Sequence, residues 1–134
     1  MTTAPVLQSV VLDCLDARRL AEFYRVLLGL EYRAGDEPRE PGRPELDWLV
    51  LHGAGVALAF QQVGALPEAT WPEGAIPQQL HLDMSVPDAA ALAEAHDRAL
   101  ELGARVLLDR TEDPEEALWV FADPAGHPFC IFVA

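Results

Sequence analysis

The chain is written twice, and this repeat constrains its fold more than any other feature. "VVLDCLDARRLAEFYRVLLGL" (10–30) resembles "LHLDMSVPDAAALAEAHDRALELGA" (80–104). Each copy runs from a short apolar strand through an Asp into a helix that carries Leu-Ala-Glu and closes on Leu-Gly. Asp16 and Asp88 stand where an N-cap belongs, because a carboxylate there accepts a backbone N–H that has no partner within the helix. Gly29 and Gly103 stand at the C′ position, which favours glycine. Leu20, Phe23, Leu27 and Leu30 recur at helical spacing in the first copy, as do Leu92, Ala95, Ala99 and Leu102 in the second. After each helix comes a strand ("EYRAG", "ARVLLDR"), an acidic turn with proline, and a pair of strands ("LDWLVLHGAGVALAFQQV", "ALWVFADPAGHPFCIFVA"). Trp48 matches Trp119 and Gly55 matches Gly126, with offsets of about 70–74 residues throughout.

The order β-α-β-β-β, repeated, predicts an α+β fold of two βαβββ modules. Their curled mixed sheets would surround a cavity, with one main helix per module packed outside. A chain of 134 residues is long enough for one domain of this kind. Module one spans about 5–63 and module two 79–134. The segment 64–78, "GALPEATWPEGAIPQ", reads as a linker, since its three prolines exclude a regular element.

Composition excludes several classes of function. The net charge of −13 argues against nucleic acid and against anionic membrane surfaces, both of which call for clustered Lys and Arg. It suits solubility or a cationic guest. The chain has no Lys, so Schiff-base chemistry and a P-loop lysine are excluded, and it lacks a G-x-S-x-G elbow. No apolar run is long enough to cross a bilayer, and the N-terminus lacks the pattern of a secretory signal; the expected location is the cytoplasm. Cys14 and Cys130 show no metal-knuckle spacing and read as buried free thiols.

Strand alternation then selects candidate site residues. In 79–86, His81, Asp83 and Ser85 share one face, and Leu80, Leu82, Met84 and Val86 share the helix-packing face. The same rule puts Ser9, Val11 and Asp13 on the cavity side of the first strand, with Val10, Leu12 and Cys14 in the core. Two carboxylates, an imidazole and a thiol in an apolar wall have the composition of a small-molecule pocket. Trp48 and Trp119 read equally as core or cavity wall. Trp71, on the linker, is placed either to cover a ligand or to fill a groove.

Taken together, Asp16 with "LAEFYRVLLGL", the stretch "WPEG…PQQLHLDMSVPD", the helix end "ALELGARV" and the closing "DPAGHPFCIF" resemble the vicinal-oxygen-chelate superfamily. That superfamily includes glyoxalase I, extradiol dioxygenases, bleomycin-resistance proteins and glyoxalase-like domains, and the chain is most similar to the small glyoxalase-like branch. The resemblance implies metal ligands on the first and last strands of each module. His81, seven residues before Asp88, takes the second-module first-strand position, whereas seven before Asp16 stands Ser9. Cys130 holds the place of the glutamate after the DP-x-G turn, and its first-module counterpart is Ala59, or Gln61 with a gap. His81 is thus the one retained metal candidate, and no metal centre of the family type is expected.

The leading expectation is a small-molecule-binding protein using His81, Asp83, Asp13, Ser9, Gln61, Cys130, Trp71, Trp48 and Trp119. The alternatives are a divalent-metal lyase or dioxygenase with an altered site, a bleomycin-type resistance protein, and a metal-free enzyme moving protons through Asp13, Asp83 and His81. The resemblance also implies a homodimer.

Overall fold

The computed structural model describes residues 3–53, 55–77 and 80–134. The chain divides after Leu66 into two compact units, each built as one βαβββ module. Gln79, at the start of the expected strand 79–86, lies outside the described residues; the strand itself is Leu82–Val86.

The first unit contains β1 (Ser9–Cys14), α1 (Ala17–Leu28), β2 (Glu31–Tyr32), β3 (Trp48–His52) and β4 (Ala57–Gln62). Its sheet runs β1-β4-β3-β2, with β1 parallel to β4 and the other pairs antiparallel. Asp16 caps α1 by accepting the Arg19 N–H at 3.1 Å, and Gly29 ends the helix at φ 66°. Leu12, Cys14, Leu49, Leu51, Leu58 and Phe60 are buried in the core with Leu20, Ala21, Phe23 and Tyr24 of α1. The sequence stripe omitted Tyr24, which is fully buried and stacks on Phe60 at 5.9 Å between centroids. Four residues after Leu20, it takes the core position next along the helix, and Leu27 is only half-buried.

Arg18 pins the loop after β2. Its Nε lies 2.9 Å from a Glu45 oxygen, its Nη1 donates to the Asp36 carbonyl at 2.6 Å, and its guanidinium lies 4.9 Å from the Tyr32 ring centre. The Tyr32 hydroxyl donates to Glu22 at 2.6 Å. Burial, reinforced by that hydrogen bond, pushes the Tyr32 hydroxyl up to about 12. Because the folded value is raised, stability held by neutral Tyr32 is intact below pH ~10 and is lost as pH rises toward 12. Tyr32→Phe therefore flattens the alkaline decline of stability between about pH 10 and 12, as denaturant melts across that range will show.

The second unit contains β5 (Leu82–Val86), α2 (Ala89–Glu101), β6 (Arg105–Arg110), β7 (Leu118–Ala122) and β8 (Pro128–Val133). The sheet order β5-β8-β7-β6 repeats the first, again with one parallel pair, β5 with β8. Asp88 caps α2 through the Ala91 N–H at 2.8 Å. Leu92 and Ala99 of α2 are buried, as are Phe121, Phe129 and Ile131 of the sheet, and Phe121 stacks on Phe129 at 5.1 Å. The two sheets are mixed, each carries one helix, and neither closes into a barrel.

Asp123 fixes the turn that aligns β7 with β8. It is buried, and its Oδ1 accepts the Ala125 and His127 N–H groups at 2.8 and 3.0 Å. Asp123→Ala leaves both donors short of this acceptor and should lower stability by about 1–3 kcal/mol. Asp123→Asn keeps an acceptor oxygen and costs less, a ranking that thermal melts of both variants will test.

Candidate functional site

The register of the second sheet assembles a row of side chains on the face away from α2. Asp83 pairs with Cys130, Cys130 with Val120, and Val120 with Leu108, and partners across strands share a face. The next row contains Phe132, Leu118 and Arg110. These rows, together with His81, Glu116, Trp71 and Pro72, line a cavity of about 260 Å³.

Residues 67–77, expected as a spacer, cluster with the second unit, and Trp71 packs against Leu118, Val120 and Cys130. Its indole stacks on the His81 ring at 4.7 Å with only 10° between planes. His81 Nε2 lies 3.1 Å from Asp83 Oδ1. Cys130 is buried at the floor. Burial of its thiol, followed by the charge of Asp83 and a hydrogen bond to it, pushes Cys130 up to about 11. The sulfur is therefore a protonated donor at neutral pH rather than a ready nucleophile.

The expected site residues divide among three places. His81, Asp83, Cys130 and Trp71 come together in this cavity. Ser9, Asp13, Gln61 and Trp48 belong to the first unit, where the pairings Ser9–Ala57, Asp13–Gln61 and Gln61–Trp48 put all four on the sheet face away from the buried Leu12 and Phe60. Trp119 lies elsewhere again. It pairs with Ile131, whose own partner is Met84, so it points to the helix side and packs on His96 of α2 at 4.3 Å. Its place on the cavity side of β7 is taken by Leu118 and Val120.

Sequence reasoning missed Leu108, Arg110 and Glu116. A bulge between Val106 and Leu108 inserts one residue into β6, so alternation counted from the start of the strand would point Leu107 and Asp109 into the cavity. The bulge points Leu108 and Arg110 there instead.

The sequence profile of the glyoxalase-like domain family matches residues 9–132. The chain belongs to that family. Its fold is that of the vicinal-oxygen-chelate proteins, as the structural relatives of this glyoxalase-like domain show. A glyoxalase/bleomycin resistance protein/dioxygenase family enzyme from Burkholderia phytofirmans PsJN superposes with a TM-score of 0.70 at 17% identity, over 95% of this chain and 97% of that one. Lactoylglutathione lyase from Agrobacterium tumefaciens gives 0.60 at 20% identity, over 99% and 96%. A mutant of the fosfomycin resistance protein FosX from Listeria monocytogenes, complexed with Mn(II) and 1S,2S-dihydroxypropylphosphonic acid, gives 0.70 at 17% identity, over 98% and 94%. No curated protein sequence matches the chain. No described helix is long and apolar enough to cross a membrane.

The donor atoms of His81, Asp83 and Cys130 all lie within 4.8 Å of one another. An imidazole, a carboxylate and a sulfur fit a divalent ion that accepts thiolate, and they fit the all-oxygen preference of Mg²⁺ or Mn²⁺ poorly.

Proposed function

We propose that this glyoxalase-like domain binds a small organic molecule in the cavity of its second module, with the metal-ligand set of its metal-dependent relatives reduced to His81. One observation carries the reading: three polar groups of different chemistry, His81, Asp83 and Cys130, converge in a recess whose wall is otherwise apolar apart from Arg110 and Glu116. Leu108, Leu118, Val120 and Phe132 supply apolar contact, while His81, Asp83 and Cys130 orient the guest. Trp71, over His81, offers a flat face at the wall. Asp83 and Glu116 outnumber Arg110 among the charged lining groups, which favours a guest with cationic character.

A thermal-shift screen of small metabolites and basic antibiotics, including a bleomycin-type glycopeptide, tests this directly. A ligand at a hundred times its Kd stabilises the fold by about 2.7 kcal/mol, enough to raise the melting temperature by several degrees. Leu108→Arg fills the cavity and should abolish the shift. A ligand that stabilises both proteins equally would place binding elsewhere and refute the proposal. An enzyme of glyoxalase or dioxygenase type is the second reading, favoured by the same convergence of donors.

A further inference from the structure

We propose that residues 36–47 form a detachable strap on the outer edge of β3, latched shut by Arg18 of α1. Strap and latch both belong to the first unit and owe nothing to the second-module cavity. The strap begins where β2 leaves the sheet. The Arg33 N–H still donates to the Val50 carbonyl at 2.9 Å, as the next pair of an antiparallel ladder would. The return bond is missing, because the Arg33 carbonyl accepts the Asp36 N–H at 2.9 Å in a turn. Asp36 substitutes for it. Its Oδ2 accepts the Val50 N–H at 2.9 Å, and Arg33 Nη2 lies 3.1 Å from the same oxygen. A buried carboxylate thus stands where a strand would continue.

From Glu37 to Asp47 the chain has neither helix nor strand, and none of these residues is buried. Apolar packing therefore does little to hold it down, and its tie to α1 is polar. That tie centres on Arg18. The guanidinium meets both Glu45 carboxylate oxygens, at 2.9 and 3.0 Å, and donates to the carbonyls of Asp36 and Glu37 at 2.6 and 3.3 Å. It rests on the Tyr32 ring, whose hydroxyl is held in turn by Glu22. The same guanidinium holds the Glu45 carboxyl below the usual range, so the pair is charged at neutral pH. Pro38, Pro41 and Pro44 restrict the backbone of the segment, which favours movement as a unit. A segment held this way can lift off while Leu20, Leu49 and Leu51 stay packed in the core. Opening withdraws the Asp36 carboxylate from Val50 and bares the outward N–H of β3 as a strand edge to which an extended chain can pair.

Native-state amide hydrogen exchange, followed by NMR on the full chain, tests this, because neighbouring amides of β3 report different events. Val50 turns its N–H toward the strap, whereas Leu49 and Leu51 turn theirs toward β4. The expected protection factor of Val50 is about tenfold or more below those of Leu49 and Leu51. Arg18→Met should lower the Val50 factor by about a further tenfold, and Glu45→Ala by about threefold, with Leu49 and Leu51 unchanged in both. Equal protection at all three amides in the wild-type protein would make the loop part of the cooperative core and overturn the proposal. A Val50 factor that neither variant moves would also overturn it. Should Arg18→Met fail to fold or loosen all three amides together, Glu45→Ala decides, because Glu45 is exposed. Unchanged Val50 protection in that variant is equally fatal to the latch.

Discussion

Phe121→Ala should destabilise the protein by about 3–5 kcal/mol, the range for deleting a fully buried aromatic ring. Phe121 has no solvent-accessible surface, stacks on Phe129, and lies on the helix side of β7 with its ring centre 6.0 Å from His96 and 6.2 Å from Trp119. Such a loss is a large share of the roughly 5–15 kcal/mol that holds a domain folded. It also reaches the cavity. Val120 and Ala122, the neighbours of Phe121 in the chain, pair with Cys130 and Pro128, so a shift of β7 would move one wall of the recess and its sulfur together. Urea denaturation should show a lower midpoint, and the variant should bind any cavity ligand more weakly than its residual stability alone implies. Trp119→Ala is the contrast: the ring is only half-buried and packs mainly on His96, so its cost should be smaller.

Trp71→Ala should cost about 2 kcal/mol of binding free energy, roughly thirty-fold in Kd, for any planar or cationic guest of the second-module cavity. The indole lines the cavity, stacks on His81, and packs on the cluster of Leu118, Val120 and Cys130. Its removal takes away contact area and frees the imidazole to rotate. Trp71→Phe keeps an aromatic face and should recover most of the lost affinity. Calorimetric titration of the three proteins with one ligand measures this order. Equal affinity across the series would mean that the loop carrying Trp71 is only packing.

Much of this was legible because the repeat and its punctuation are local. Asp16 and Asp88 cap their helices by hydrogen bonds that depend on residues three positions away, which sequence spacing captures. Alternation in the first strand of module two brought His81 and Asp83 to one face for the same reason, and the strand opposite them supplied Cys130. What alternation could not supply was pairing between strands. Trp48 and Trp119 match as sequence, yet Trp48 pairs with Gln61 and Trp119 with Ile131, one step off the equivalent register. A one-residue step reverses the face, so the counterpart of Trp48 is Leu118, opposite Phe132. The bulge in β6 hid Leu108 and Arg110 in the same way. Trp71 was identified as an aromatic on a proline-rich stretch, but that the stretch folds onto the second module depends on long-range packing that no local pattern encodes.

The position of a bound small molecule is the most direct test of a second-module site. With a ligand from the thermal-shift screen in hand, amide chemical-shift mapping of isotopically labelled protein locates it without a crystal. The largest shifts should fall on Asp83, Cys130, Val120, Leu108 and Leu118, residues on four strands that meet only on the cavity face of the second sheet. Shifts clustered instead around Trp48, Asp13 and Gln61, or spread along α2, would contradict a second-module binding site.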